Sequence, residues 1–268
     1  METIETKQKG PKGIGDFFKE QQALYEEIYK IGFSEYTKNI GQIEKAFGPH
    51  DHCLRCMDEG TPGGLHSAGS GILWKDQKAL VEALKEAGVK EITSHDGCGA
   101  ARIYCQENNL DLTKSDEIGK EYAENLAKKM GVPHRHISFS GKTSASEKST
   151  INEEMQRPDG LHIARVAYYD GIGGFNFSKL KELPPGFIIS RAINTDKISM
   201  GEAGVAIDIA TGGHSYGNLI DKNHPFVLVA IGKDKEHMFS LMYELRKIQM
   251  SAGDRVLVDG FIAPAQEK

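Results

Sequence analysis

Two successive stretches of the chain repeat one local plan, and that plan restricts the fold more than any other feature. Residues 78–86 place Leu80, Ala83 and Leu84 on one helical face, Gly88 stands where a helix stops, and residues 89–94 form a short apolar run. Residues 113–130 follow the same scheme, with Thr113 or Ser115 as cap and Gly131 as terminator, and lead into a strand expected over 136–139. Helices alternating with short strands specify βαβ units, and right-handed crossovers then give a mostly parallel β-sheet flanked by helices. The expected class is α/β.

The remaining segments fit around that unit. Residues 16–29 space Phe17, Phe18, Leu24, Ile28 and Tyr29 at helical intervals, and 43–47 add a short apolar face, so 1–48 is expected to be a helical arm packed on the body or on a partner subunit. Strands are expected at 162–169, 186–190, 205–209, 226–231 and 255–258, with a helix over 235–249. The polar stretch 142–157 reads as a surface loop or exposed helix. Leu183-Pro184-Pro185-Gly186 marks a boundary near 180, which gives three regions: 1–48, a central unit 49–180, and a C-terminal α/β region 181–268.

A chain of 268 residues buries a core without covalent staples. Its 33 Lys and Arg against 38 Asp and Glu give a net charge of -5 with no basic block, so neither nucleic acid nor an anionic membrane is an expected partner. Apolar runs fall far short of the roughly 20 residues that cross a bilayer, and 1–12 is polar without a signal-like apolar core, so a cytoplasmic, reducing location is expected. The four cysteines, Cys53, Cys56, Cys98 and Cys105, all lie in the first half. In a reducing setting, clustered Cys and His read as metal ligands or catalytic thiols rather than disulfides.

Cys56-Met57-Asp58 closes one expected strand and His95-Asp96-Gly97-Cys98 closes another. Two thiolates and an imidazole suit Zn²⁺, and three protein ligands leave a fourth position for water or an exchangeable group. In extended chain, Cys56 and Asp58 share a face, so Asp58 reaches either the metal or whatever binds it. Cys98 opens the Gly99-Ala100-Ala101 helix, where free N–H groups and the dipole favour the thiolate.

At these residues the sequence resembles the β-class carbonic anhydrases, whose C-x-D strand end, later A-G segment and H-x-x-C-G-A unit are matched by Cys56-Met57-Asp58, Ala68-Gly69 and His95 to Ala100. The resemblance covers roughly 50–170, with 162–175 similar to the family's late strand and turn. It implies a cytoplasmic zinc-dependent lyase that reversibly hydrates CO2 to bicarbonate. Cys56, His95 and Cys98 would be the zinc ligands and Asp58 the catalytic partner of the activated water, or a fourth ligand. It also implies a homo-oligomer. One departure stands out: Gly60 occupies the place of the family's Arg, two residues after the Asp. That change makes a catalytically silent zinc-binding scaffold the alternative expectation, and a hydrolase of a CO2 analogue such as COS or CS2 a further one. Arg55 lies on the wrong face of a regular strand, while Arg102, one turn into the helix, is a conceivable substitute.

Other readings compete locally. Cys53 with Cys56, His95 and Cys98 would make a closed structural zinc site, whereas Cys105 reads as a buried core thiol. His50, His52 and His66 read as solvated or structural, or as a proton shuttle. Gly141-Lys142-Thr143 and Gly171-Ile172-Gly173-Gly174 fail the phosphate-loop and dinucleotide patterns and read as turns, as does Gly212-Gly213-His214. Sliding the second half by 135 sets 186–190 against the first motif's strand and Ala203-Gly204 against Ala68-Gly69. After a larger offset the run 256–258, followed by Asp259-Gly260, echoes Ser94 to Gly97, and the whole suggests a degenerate, metal-free repeat, with an unrelated C-terminal α/β extension as the alternative.

Overall fold

The computed structural model describes residues 13–49, 51–138 and 161–264. Among these residues the chain forms an α/β fold of two four-stranded, all-parallel sheets with helices on their faces. The first sheet has the order β2-β1-β3-β4, built from β1 (Cys53–Arg55), β2 (Leu65–His66), β3 (Glu91–His95) and β4 (His134–Ile137). The second has the order β6-β5-β7-β8, from β5 (Val166–Asp170), β6 (Phe187–Ser190), β7 (Phe226–Gly232) and β8 (Val256–Ile262). The α-helices are α1 (Ile14–Ile31), α2 (Phe33–Lys38), α3 (Gln77–Glu86), α4 (Gly99–Glu107), α5 (Ser115–Met130), α6 (Asp196–Ala210) and α7 (Lys235–Ala252).

α3, α6 and α7 each begin where a side chain satisfies free amides, whereas α4 follows Cys98 without a side-chain cap. Asp76 accepts from the Lys78 and Ala79 amides at α3, Thr195 from Ile198 at α6, and Asp234 from His237 at α7. Before α5, Asp111, rather than Thr113 or Ser115, is the capping acceptor, on the short 3₁₀ turn that leads in. Gly131 ends α5 in the left-handed conformation (φ 71°, ψ 31°), as its position led one to expect.

The two sheets share one strand order, counted along the chain within each half: second, first, third, fourth. That correspondence is a repeat in architecture, but in a different register from the sequence slide. It equates β5 with β1, β6 with β2, β7 with β3 and β8 with β4. Residues 186–190 therefore match β2 and not the motif strand, and the run from Val256 matches β4 and not β3. The chain also changes sheets between Ile137 and Val166, ahead of the boundary expected near 180, because β5 pairs with β6 and β7. Short apolar strands resemble one another too closely for sequence alone to fix their order in a sheet.

One expected strand is a helix. Residues 205–209 lie within α6, whose Ala203, Ala206, Ile207, Ile209 and Ala210 are buried. A short apolar run suits a strand or a buried helix equally, and the Thr195 cap together with the run of small residues back from Val205 decides for the helix.

The sheets meet edge to edge at β2 and β6. The His66 amide donates to Ser190 Oγ at 2.8 Å, and the Ile188 amide donates to Met57 O at 3.0 Å. The central core consequently mixes Cys56, Ala68, Cys98 and Ala100 with Ile189, Ala203 and Ile209. The N-terminal arm packs on the body. Arg165, fully buried, lies 4.0 Å from the Phe18 ring centre and 4.2 Å from that of Tyr25, and donates to Tyr29 Oη at 3.0 Å. No helix of the described residues is long and apolar enough to cross a membrane.

Candidate metal centre

Strand β1 ends at Arg55 and delivers Cys56 into the crevice between the sheets, while β3 ends at His95 and turns through Gly97 into α4, with Cys98 as the residue before the helix. The donor atoms of Cys56, His95 and Cys98 all lie within 4.8 Å of one another, and all three residues are buried. The two sulfurs are 4.0 Å apart. Two sulfurs each about 2.3 Å from a tetrahedral zinc would lie about 3.8 Å apart, so the pair sits close to the spacing such an ion demands.

The surroundings favour negative charge on one sulfur of the pair, that of Cys98. Cys98 is held below the usual thiol range, first by the hydrogen bond from Cys56 and also by the Ala101 and Ala100 amides at the start of α4. Cys56 is pushed up, first by its hydrogen bond with Cys98 and then by its burial. Burial works to depress His95, but the charge of Cys56 and then of Asp58 overrides it and raises the imidazole to about 9. The ring's Nδ1 faces the Asp96 carbonyl at 2.8 Å, an acceptor only, so Nδ1 carries a proton and Nε2 is the atom that could take a metal. A buried thiolate-rich group of this kind fits a soft divalent cation.

The backbone around Cys56 is fixed from several sides. The Gly69 amide donates to Cys56 Sγ at 3.2 Å. The Cys56 carbonyl accepts from His66 Nδ1 and from the Thr61 hydroxyl, both at 2.8 Å. His66 is thus structural, and burial holds its pKa at about 4, so it is neutral.

Asp58 lies in the turn after β1, 4% exposed, with Oδ1 accepting the Gly60 amide at 2.8 Å. Its carboxylate groups with Glu59 and His162 rather than with the sulfurs, those three donor atoms also lying within 4.8 Å of one another. Oδ2 is 3.7 Å from His162 Nδ1, while Glu59 takes that nitrogen at 2.8 Å and the Ile163 amide at 3.0 Å. His162 in turn packs against His214, ring centres 5.6 Å apart, so the Gly212-Gly213-His214 turn borders this group. Glu59 and His162 were not legible beforehand: His162 is 103 residues from Glu59 and belongs to no spacing motif.

A small pocket opens beside Cys56 and Asp58. Its walls are Met57, Gly99, Ala100, Phe187, Val205 and Ile209, and the space open to a water-sized molecule's centre is about 10 Å³, enough for one such molecule. Phe187, Val205 and Ile209 come from the second half, so β6 and α6 roof a site whose cysteines and histidine come from the first.

Other candidates are placed elsewhere. Cys53 Sγ donates to Glu91 Oε2 at 3.2 Å, burial pushes its pKa up to about 12, and it stands outside the Cys56, His95 and Cys98 group. Cys105 is fully buried in α4. Arg55 pairs with Asp51 at 2.7 Å, and Arg102 is exposed on α4. His52 Nδ1 meets the Gly88 carbonyl at 3.0 Å. At the place in the second half equivalent to the Cys56 turn, the buried Asp170 carboxylate accepts the Ile172, Gly173, Gly174 and Phe175 amides, so 171–174 is a self-satisfied turn. His50, the 141–143 tripeptide and the segment 142–157 lie outside the described residues. No family profile matches the chain, and no curated protein or solved structure matches it.

Proposed function

We propose that this chain is a zinc-dependent lyase that interconverts CO2 and bicarbonate, the activity its two motifs resemble. The observation that carries the reading is the juxtaposition of a buried Cys56, His95 and Cys98 group with a one-molecule pocket that the Asp58 carboxylate lines. Cys56 Sγ, His95 Nε2 and Cys98 Sγ would hold the zinc, which when bound supplies Lewis-acid activation of water. Asp58 accepts a hydrogen bond from the attacking water and sets its lone pair toward the pocket, its own orientation fixed through Oδ1 by the Gly60 amide. Met57, Ala100, Phe187, Val205 and Ile209 offer CO2, which has no proton to donate and no net charge, a wall without competing donors. The same wall holds the bicarbonate anion poorly and favours its release.

A second reading rests on Gly60. Its amide carries no charge, so a zinc-bearing scaffold without turnover is the competing outcome. Stopped-flow CO2 hydration on zinc-loaded protein across pH 7 to 9 decides between them: a rate above buffer supports the lyase, and no rate at any pH supports the scaffold. COS and CS2 are linear triatomics of similar width, and offering them in the same assay separates the substrates.

A further inference from the structure

Glu202 is a carboxylate that the proposed chemistry does not use. It projects from α6 in the second half and is 3% exposed. Oε1 accepts from the Ser67 hydroxyl at 2.5 Å and from the Ala68 amide at 2.8 Å, and Oε2 accepts from Asn194 Nδ2 at 2.9 Å. Trp74 Nε1 donates to Ser67 Oγ at 3.2 Å and so completes the set around that hydroxyl.

The segment it grips is the turn at Ala68–Gly71, in which Gly69 and Ser70 both adopt left-handed conformations (φ 55° each). Left-handed backbone at a non-glycine residue such as Ser70 is costly and persists only where its surroundings impose it. The outcome of that conformation is the aim of the Gly69 amide at Cys56 Sγ, 3.2 Å away. A chain of direct contacts therefore runs from α6 through Glu202, Ser67 and Ala68 to the sulfur of a candidate ligand.

We propose that Glu202 is a positioning residue of the metal centre: it holds the 67–71 turn so that the Gly69 amide hydrogen-bonds Cys56 Sγ and tunes that thiolate as a ligand. This rests on the reading of Cys56 as a zinc ligand. It gives the second half a definite part in a site to which it contributes no cysteine. Hydrogen bonds to a ligating group fix its orientation and its donor strength, and loss of such a partner typically weakens metal affinity about 10- to 100-fold. Burial raises the Glu202 carboxyl to about 7, in keeping with a group held in place by packing as well as by its three donors.

The test uses the full chain, stripped of metal and reloaded with Co²⁺, whose sulfur-to-cobalt charge-transfer band reports the electron density on the thiolates. Three variants are compared with the wild type: Glu202→Met, nearly isosteric but without an acceptor; Glu202→Gln, which retains an acceptor oxygen; and Ser67→Ala, which removes one donor to Glu202 together with the acceptor of Trp74 Nε1. Among the described residues Asn194 Oδ1 is buried without a partner, so the Asn194 amide can turn to accept from the new Gln nitrogen. Expected is a shifted band with 10- to 100-fold weaker Co²⁺ binding, by chelator competition, in Glu202→Met, a smaller change of the same sign in Ser67→Ala, and recovery to within about threefold in Glu202→Gln. Wild-type band position and affinity in Glu202→Met overturn the inference and leave the metal reading standing. If Glu202→Met fails to fold, an unshifted band in Ser67→Ala overturns it in the same way. Absence of any cobalt band in the wild type overturns both.

Discussion

The amide of Gly60 donates to Oδ1 of Asp58 at 2.8 Å, so a residue with no side chain still holds the carboxylate beside the pocket next to Cys56. The turn that makes this bond is closed by the Thr61 amide and hydroxyl, both on the Asp58 carbonyl at 3.0 Å. A backbone donor orients the carboxylate but brings no positive charge, so orientation and charge neutralisation, which one arginine would combine, are separated here. His162 Nδ1, 3.7 Å from Oδ2, is an ionisable nitrogen beside that carboxylate.

Asp58→Asn tests the role of that carboxylate. The amide is isosteric and can still accept from Gly60, and Asp58 stands outside the sulfur and imidazole group, so zinc content is expected to stay stoichiometric. CO2 hydration is expected to fall by about 10²- to 10⁴-fold in kcat/KM, the usual range for loss of a proton-accepting partner. Elemental analysis and stopped-flow rates on the same sample check both halves. An unchanged rate removes Asp58 from the mechanism, and lost zinc makes it a ligand.

The cysteines are separable by metal content. Cys56→Ser and Cys98→Ser each remove a soft donor from a three-residue group and are expected to abolish stoichiometric zinc. Cys53→Ser is expected to keep it, because Cys53 faces Glu91 and Arg135 is already bidentate on the same carboxylate. Zinc retained in Cys56→Ser, or lost in Cys53→Ser, would falsify the assignment.

How much of this was legible in the sequence follows from which interactions are local. The cysteines and the histidine of the group were readable, because each sits one or two residues from a strand end or helix start that its own neighbours encode. So was the parallel α/β class, through the Gly88 and Gly131 stops. The roof was not: Phe187, Val205 and Ile209 reach the pocket only because β6 lies against β2, a pairing of edges with no signature in either strand. The Glu59 and His162 pair failed for the same reason. Residues 205–209 were misread because four apolar residues interrupted only by Asp208 are too short a run to reveal their period.

The pocket walls give a prediction that needs no new metal chemistry. Val205→Phe adds a ring to a space that holds about one small molecule, while the ligands lie on other segments. Zinc is expected to bind as before, overpacking to cost about 1 to 3 kcal/mol of stability, and CO2 hydration to drop at least tenfold. A full rate with the ring in place means that substrate approaches from another side.

Gly69→Ala probes the turn directly. At φ 55° a side chain is strained, and a Cβ there meets Ile72 Cγ2 at 2.6 Å. The strain is expected to cost the metal-free protein about 1 to 2 kcal/mol and to lower its melting temperature. Because the displaced amide is the one bonded to Cys56 Sγ, chelator competition should show weaker zinc binding too. Lower stability with unaltered affinity would separate the turn from the metal.

The Glu202 carboxyl also predicts a pH dependence whose sign can be worked out. Burial, outweighing the Ser67, Ala68 and Asn194 hydrogen bonds, raises it from the usual 4.5 to about 7. Between those values the folded protein keeps the proton and the unfolded chain has lost it, so acid favours the folded state. The stabilisation is complete below pH 4.5, declines as pH rises toward 7, and is gone above it; a shift of this size corresponds to roughly 3 kcal/mol. Glu202→Gln has no such proton. In urea unfolding of the metal-free proteins, the stability of wild type minus that of Glu202→Gln is therefore expected to fall by roughly 3 kcal/mol between pH 4.5 and 8. Taking the difference cancels every other titrating group common to both chains, so parallel profiles across that range would mean that Glu202 is ionised in the folded protein already at pH 5.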